Sequence, residues 1–415
     1  MSLHEARYSL DHSLLLDTLV DCDNLLIIQD LDGVCMGLVS DPLTRRIERR
    51  YVEAGKQLDG HFFVLTNGEH IGSRGVNDIV ERAFDAPQEA WQRGLYLPGL
   101  AGGGVQLQDS QGQVSHPGVS DAELDFLAQV PEWGRQFLLQ SLAGEPFSLS
   151  GDALTRLVEA CVLDNRVSPT LNINMLYYHL SDRPGQYAQI QQQAVSFMES
   201  LLERAAAAGL ADSFFIHYAP NLGRVDGREK PRISDGSDAG TTDFQFMLRG
   251  AVKEVGVLVL LNHYYYRRTG QYPLGEGFNA REAPSDMAEL LALAQRHFDP
   301  AQMPRIVGVG DTVTSHPQPD GDNQRGGSDR GFLTLVQGLG ECFGSDNACV
   351  FIDSSAGEVV RPGVKQHKLA SDAGAALGGI SDPDDDLRLN FLFTGGHTEY
   401  VNFFCDLAAR RAQRH

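Results

Sequence analysis

Two carboxylates close the first strongly apolar run of the chain, Leu25-Leu26-Ile27-Ile28-Gln29-Asp30-Leu31-Asp32-Gly33-Val34. Four bulky apolar residues in a row predict a buried strand. In an open α/β sheet the ligand crevice lies beyond the carboxyl ends of the strands, so Asp30 and Asp32 would stand at its rim. Like charges placed there repel unless a cation lies between them, and carboxylate oxygens suit a hard one such as Mg²⁺. A solvated acidic turn is the plain alternative, and one Asp-x-Asp in so acidic a chain does not decide the matter.

Later apolar runs end in residues that fit the cation reading. His61–Leu65 closes on Thr66-Asn67-Gly68, Arg305–Gly310 on Asp311-Thr312, Ala348–Ile352 on Asp353-Ser354-Ser355, and Leu389–Phe393 on Thr394-Gly395-Gly396. If the strands ending at Asp30, Thr66 and Asp311 are neighbours, Asp30, Asp32 and Asp311 could hold Mg²⁺, with waters and a phosphate completing the shell. Asp353 is an alternative to Asp311, which fits better after its Gly-rich strand. Asp30 is placed to attack phosphorus and become an aspartyl-phosphate. Asp32 could protonate the leaving alcohol and later activate water. Thr66, with the amides of Asn67 and Gly68, could hold the phosphoryl oxygens.

Positioning these residues requires a scaffold. Buried strands alternating with helix-like stretches, such as Asp286–His297, predict an α/β fold built on a mostly parallel sheet with helices on both faces. Asp30 to Thr66 spans one βαβ unit. Thr66 to Asp311 is far too long for one connection, which predicts an inserted domain. The expected division is a discontinuous core of residues 1–85 and 240–415 with an α+β cap at 86–239. Within the insertion, Gly103–Val114 alternates like a hairpin, Ser196–Gly209 reads as an Ala-rich helix and Ser213–Tyr218 as a strand. A long helical stretch is expected from Thr242. His316–Ser328, rich in Pro, Gly and Asp, reads as a loop beside the site.

Composition narrows the function. The chain has 415 residues, 42% of them hydrophobic, enough for two domains with sizeable cores. Asp and Glu number 55 against 34 Lys and Arg, a net charge of −21 that argues against nucleic acid or an anionic membrane as partner. The six cysteines (Cys22, Cys35, Cys161, Cys342, Cys349, Cys405) are scattered without a Cys-x-x-Cys pair, so reduced thiols are expected rather than zinc or a disulfide scaffold. No run is long enough to span a membrane, and Met1–Ser13 has no signal-peptide core, which points to a cytoplasmic protein.

Asp-Leu-Asp-Gly-Val after one strand, Thr66 after the next and Gly310-Asp311 after a third resemble the haloacid dehalogenase superfamily of phosphatases. The long insertion is similar to the branch with a large cap after the second motif. Longer blocks narrow this: Gln29–Ile47, Leu65–His70, Leu261–Met287 and Val307–His316 resemble the glucosylglycerol-phosphate phosphatases, the salt-tolerance proteins. The resemblance implies Mg²⁺-dependent hydrolysis of glucosylglycerol 3-phosphate to the compatible solute glucosylglycerol, with a small sugar phosphate as partner and association with the synthase an open possibility.

Two departures from the superfamily pattern follow. No second acid lies within four positions of Asp311, so Ser315 or a water is the candidate replacement. The motif Lys or Arg that pairs with the nucleophile is Lys230, Lys253, Arg267 or Arg268, with Lys230 favoured because it precedes the expected helix.

Core residues should set the reaction and cap residues the specificity. Asn67, Tyr265 and Arg267 are the candidate substrate contacts, since Tyr264–Arg268 is either a packed turn or a surface that stacks on a sugar. Asn172, Asn174, Tyr177 and His179 read as core and surface of the cap, His316 as a surface histidine and Gly102–Gly104 as a hairpin turn. Competing readings are a phosphatase of another glycosyl phosphate such as sucrose phosphate, a phosphoacceptor receiver and a silent sugar-binding protein. The length counts against the second and the Asp30/Asp32 pair against the third.

Overall fold

The structure is a computed structural model that describes residues 2–72, 74–318 and 321–414. Sixteen strands are present among them: β1 (Leu25–Gln29), β2 (Phe62–Leu65), β3 (Gly99–Ala101), β4 (Gln106–Gln108), β5 (Val114–Ser115), β6 (Val162–Leu163), β7 (Thr170–Asn172), β8 (Phe214–Ala219), β9 (Asn221–Val225), β10 (Arg228–Pro231), β11 (Asp243–Leu248), β12 (Arg305–Gly310), β13 (Thr314–Pro317), β14 (Asn323–Gly326), β15 (Ala348–Ile352) and β16 (Phe391–Phe393). The helices needed below are α1 (His12–Val20), α2 (Arg49–Gln57), α3 (Val130–Ala143), α4 (Pro184–Ala207), α5 (Lys253–Thr269), α6 (Met287–His297), α7 (Arg330–Phe343) and α8 (Gly396–Arg414).

The main sheet has the order β16-β15-β12-β1-β2-β3-β4-β5, parallel from β16 through β3 and antiparallel beyond. Its apolar runs are continuous because both faces are covered. Leu26 and Ile28 of β1 point into one core with α5, α6 and α7, while Leu25 and Ile27 point into another with α1, α2 and α8. This is the α/β architecture expected from the alternation of runs. It makes β12, β1 and β2 neighbours, so Asp311, Asp30 and Thr66 emerge side by side at one edge.

A second, antiparallel sheet, β6-β7-β11-β8, forms the cap. Its back packs on α3 and α4. Phe244, Phe246 and Leu248 of β11 are all buried there, each contributing about 1.5–3 kcal/mol of apolar burial, while Asp243 and Gln245 alternate to the other side. This sheet corrects both expected boundaries. The β3–β5 segment belongs to the main sheet, not to the insertion, and residues 243–248 belong to the cap sheet. The stretch from Thr242 is thus a strand first and a helix only from Lys253; its period-two alternation and Gly250 (φ +87°) mark the change. The loop expected at 316–328 contains instead the β13–β14 hairpin, with Pro319 and Asp320 outside the described residues.

Candidate active site

The acid group at the sheet edge is built from three strand or helix termini. Oxygens of Asp30, Asp311 and Asp329 all lie within 4.8 Å of one another, and all three residues are buried. Asp30 follows β1, Asp311 follows β12, and Asp329 immediately precedes α7. Asp329 was not legible as a ligand because 18 positions separate it from Asp311. The hairpin explains its return: Thr314 pairs with Gly326, so Asp311 and Asp329 stand equally far outside that pair. Asp329 Oδ2 accepts from the amides of Asp311 and Thr312, both at 2.9 Å. Ser315, the expected substitute, bonds Asp382 instead.

Lys253, the first residue of α5, joins this group. Its Nζ lies 2.5 Å from Asp30 Oδ2 and 2.6 Å from Asp329 Oδ1, with the ammonium side chain fully shielded. Burial works against the Lys253 charge, but the two carboxylates outweigh it and hold its pKa above the ordinary value. Burial pushes Asp30 up to about 7 against the pull of Lys253, and pushes Asp311 well above the carboxylate range with help from Asp329 and Asp30. Lys230, the favoured candidate for the cation beside Asp30, is exposed on β10; residues 243–248 form a strand, so the helix begins at Lys253 rather than near Thr242, and Lys253 is the lysine that reaches Asp30.

With all three carboxylates ionised, the one ammonium would leave two negative charges uncompensated, which is why Asp30 and Asp311 hold protons more tightly than ordinary acids when no cation is present. Asp311 Oδ2 is buried and has no hydrogen-bond partner among the described residues. Gly33 (φ +80°) approaches so closely that a Cβ there would meet this oxygen at 2.0 Å. An orphaned oxygen in an all-oxygen, doubly negative cluster fits a hard divalent cation such as Mg²⁺. The Asp32 carboxylate lies outside the cluster, so the acids close enough together to hold a cation are Asp30, Asp311 and Asp329 rather than Asp30, Asp32 and Asp311. Asp32 is instead one-third exposed and meets Arg45 Nη1 at 3.0 Å. Arg45 is itself anchored on the carbonyls of Pro42 and Arg74. Asp353 accepts the amides of Ser355 and Val364 and so serves its own loop.

Thr66 is buried at the end of β2, its Oγ1 accepting from Gly68 N at 3.1 Å. Asn67 reaches the cap, its Nδ2 lying 2.9 Å from His217 Nε2. Core and cap together enclose a cavity of about 140 Å³, lined by Asp30, Asp32, Thr66, Lys253 and Asp311 below and by Asn172, Asn174, Asp243 and Gln245 above. Asn172 Nδ2 donates to Asp243 Oδ1 at 2.8 Å. Burial pushes the Asp243 carboxyl up. Gln245 Oε1 and Arg361 Nε, at the same cavity, are buried and without partners among the described residues. Asn172 and Asn174 were read only as cap packing; alternation along 243–248 was the signal that could have added Asp243 and Gln245.

Tyr265 and Arg267 are corrected as sugar contacts. Tyr264–Arg268 is no turn but the last turns of α5, and Arg267 lies 14 residues, about 21 Å of helix, from Lys253. Tyr265 is buried edge-on to Phe298, and Arg267 pairs with Asp59 at 3.4 Å, on the loop that enters β2 from the opposite edge of the sheet. The six cysteines are free, and no described helix is long and apolar enough to cross a membrane.

Comparison with known proteins shows the family. The chain is 51% identical over 416 residues to the glucosylglycerol-phosphate phosphatase of Synechocystis sp., covering 99% of both chains. Among solved structures, a trehalose-6-phosphate phosphatase of Aspergillus fumigatus matches with a TM-score of 0.40 at 10% identity, over 97% of this chain and 99% of that one. The C-terminal domain of the Candida albicans trehalose-6-phosphate phosphatase matches with a TM-score of 0.46 at 10% identity, over 98% and 99%. A family model described as glucosylglycerol-phosphate phosphatase matches residues 24–408, and the chain belongs to that family.

Proposed function

We propose that the protein is a Mg²⁺-dependent phosphomonoester hydrolase that acts on glucosylglycerol 3-phosphate through an aspartyl-phosphate on Asp30. The observation that carries this reading is the Asp30–Lys253–Asp329 contact beside Asp311 at the floor of a cavity roofed by polar cap residues. Family membership and the 51% identical relative support the choice of substrate.

Asp30 Oδ attacks phosphorus, and the bond from phosphorus to the glycerol oxygen breaks. Asp32 gives its proton to that oxygen, then takes one from water as the water attacks phosphorus and the Asp30–phosphorus bond breaks. Lys253 holds the Asp30 carboxylate in place throughout. Thr66 and the amides after it bind the phosphoryl oxygens. Asp30, Asp311 and Asp329 would hold Mg²⁺, which offsets the repulsion between an anionic nucleophile and an anionic substrate. The roof residues bind glycosyl hydroxyls and exclude bulk water.

The direct experiment is phosphate release from glucosylglycerol 3-phosphate, sucrose phosphate and trehalose phosphate, each with Mg²⁺ and with chelator. Release from the first alone, abolished by chelator and restored by Mg²⁺, is the expected result. Preference for another sugar phosphate would move the substrate, and undiminished release in chelator would remove the metal.

A further inference from the structure

On the side of Asn67 away from the acids, the cap presents a buried histidine–carboxylate pair that the chemistry above does not use. His217 on β8 and Glu229 on β10 meet at 2.8 Å, with side chains only 9% and 5% exposed. Glu229 also accepts from Tyr218 N and Asn221 Nδ2, both at 3.0 Å. Burial would raise the Glu229 carboxyl, but the bonds from His217 and Tyr218 and the nearby Arg224 outweigh it and hold it below the usual range. Burying a carboxylate here is costly, and apolar residues would pack the same space at least as well. Its direction gives it a use. The Asn67 amide nitrogen can only donate, so His217 Nε2 accepts and the ring proton sits on Nδ1, facing Glu229.

Asn67 is a thin partition. It lines the acid cavity on one side and a second cavity of about 270 Å³ on the other. The contact with His217 is its one side-chain hydrogen bond among the described residues. The same cap hairpin also docks on the β13–β14 hairpin whose base carries Asp311 and Asp329. A Cβ on Gly223 would stand 2.6 Å from the Arg325 carbonyl, and Thr314 Oγ1 donates to the Asn221 carbonyl at 3.2 Å. The cap also grips the chain around the turn at Glu69, which accepts from the amides of Arg166, Val167 and Ser168, and at the Asn67 carbonyl, which accepts from Ser168 Oγ at 3.3 Å. Of these contacts, the Asn67 side chain is the one that joins the turn to His217 and Glu229.

We infer that Glu229 and His217 of the cap are positioning residues that fix the Thr66–Gly68 turn through Asn67, so that the turn is set for phosphoryl transfer only when the cap is seated. This inference rests on the hydrolase reading above. Displacing a binding group by about an ångström can cost roughly a hundredfold in rate. The relay acts on the phosphoryl end, so its loss should appear in kcat for any phosphate ester and leave KM for the sugar substrate nearly unchanged.

The test compares His217→Ala, Asn67→Ala, the double variant and His217→Gln, using glucosylglycerol 3-phosphate and p-nitrophenyl phosphate. Each single Ala variant should lose roughly 10–10²-fold in kcat on both substrates. The double variant should lose no more than the worse single one, because the two residues act as a unit. His217→Gln keeps an acceptor near the Nε2 position and should recover most of the rate. Additive losses, an unchanged kcat or no recovery in a His217→Gln variant that melts like wild type would each overturn the inference.

Nitrogen-15 spectra of the histidine rings give a readout without substrate. The His217 signals should report a neutral ring protonated at Nδ1, and the Nε2 resonance should move in Asn67→Ala. A ring indifferent to Asn67 would overturn the relay. Failure of the wild type to release phosphate from either ester would overturn the hydrolase reading instead, and the spectra would still decide the relay.

Discussion

Lys253 Nζ stands 2.5 Å from Asp30 Oδ2, and it is the first residue of α5, five residues beyond the cap strand β11. The side chain that holds the Asp30 carboxylate is thus tied by a short stretch of backbone to Asp243 and Gln245 in the cavity roof. A cap that moves must pull on this connection, so the cavity roof and the alignment of Asp30 in the floor are mechanically linked.

Replacing Asp30 with Asn should abolish phosphate release, since an amide cannot form the acyl-phosphate. Lys253 keeps Asp329 as a partner, so the melting temperature should stay near that of wild type. Lys253→Ala is different: it leaves two buried carboxylates facing each other without a cation. Breaking a buried pair in this way costs about 3–5 kcal/mol, so this variant should melt clearly earlier. Activity of Asp30→Asn within tenfold of wild type would remove Asp30 as nucleophile.

Asp311→Ala and Asp329→Ala should each weaken Mg²⁺ binding measured by calorimetry on the protein without substrate. Asp353→Ala should not, because that carboxylate is spent on the amides of Ser355 and Val364. Weakened binding in Asp353→Ala alone would place the cation on the wrong strand.

Asp32→Asn should reduce turnover by roughly 10²–10⁴-fold through loss of proton transfer. Arg45→Ala should also slow turnover, by a smaller factor, because Arg45 is what orients the Asp32 carboxylate at 3.0 Å. The comparison of an aryl phosphate with a good leaving group against an alkyl phosphate separates the roles. The acid matters less when the leaving group needs no proton, so the Asp32→Asn loss should shrink on the aryl ester. Equal losses on both would argue against Asp32 as the acid.

The strands that carry Asp30, Thr66 and Asp311 were legible because each is a continuous apolar run ending in small polar residues, a local pattern. Their adjacency is only a condition in the sequence, and the sheet order β12-β1-β2 meets it. Asp329 was not legible, since its place depends on strand pairing between Thr314 and Gly326 through a segment whose composition reads as loop. Lys253 was within reach as an alternative, but reading Thr242 onward as helix hid the strand boundary that puts Lys253 at a helix start. Tyr265 and Arg267 were drawn in by residue type alone; only the length of α5 shows that they sit at the far edge of the sheet.

A pH-dependent prediction concerns the opposite end of the molecule. Asp346 accepts from Ser2 Oγ and His4 N and pairs with Arg305 Nη2 at 3.1 Å. Burial raises its pKa, but the hydrogen bonds from Ser2, His4 and Leu3 outweigh it and hold the carboxyl down to about 2. A depressed acid adds stability that is complete above its unfolded value of about 3.9 and is lost as pH falls through the folded value. Asp346→Asn should therefore melt earlier than wild type at pH 6, with the gap closing between about pH 4 and pH 2. A gap that does not change over that range would mean the carboxylate charge is not what stabilises the contact.

Specificity should reside in the cap sheet. Gln245 Oε1 is a buried acceptor with no partner among the described residues, and Asp243 is held beside it by Asn172; both face the cavity above the acids. A site built to pair with hydroxyls rejects an analogue lacking them far more strongly than apolar contact can. Gln245→Ala and Asp243→Ala should each lower kcat/KM for glucosylglycerol 3-phosphate by at least roughly tenfold, the cost of about one such hydrogen bond. Both should leave p-nitrophenyl phosphate within about threefold, since that ester needs only the floor, where the phosphoryl chemistry lies. Arg267→Ala should change neither substrate, because its guanidinium is half exposed on Asp59 at the other edge of the sheet. Equal losses on both esters in the Gln245 and Asp243 variants would place these residues in folding or phosphate binding. A sugar-selective loss in Arg267→Ala would mean that the glycosyl group reaches beyond this cavity.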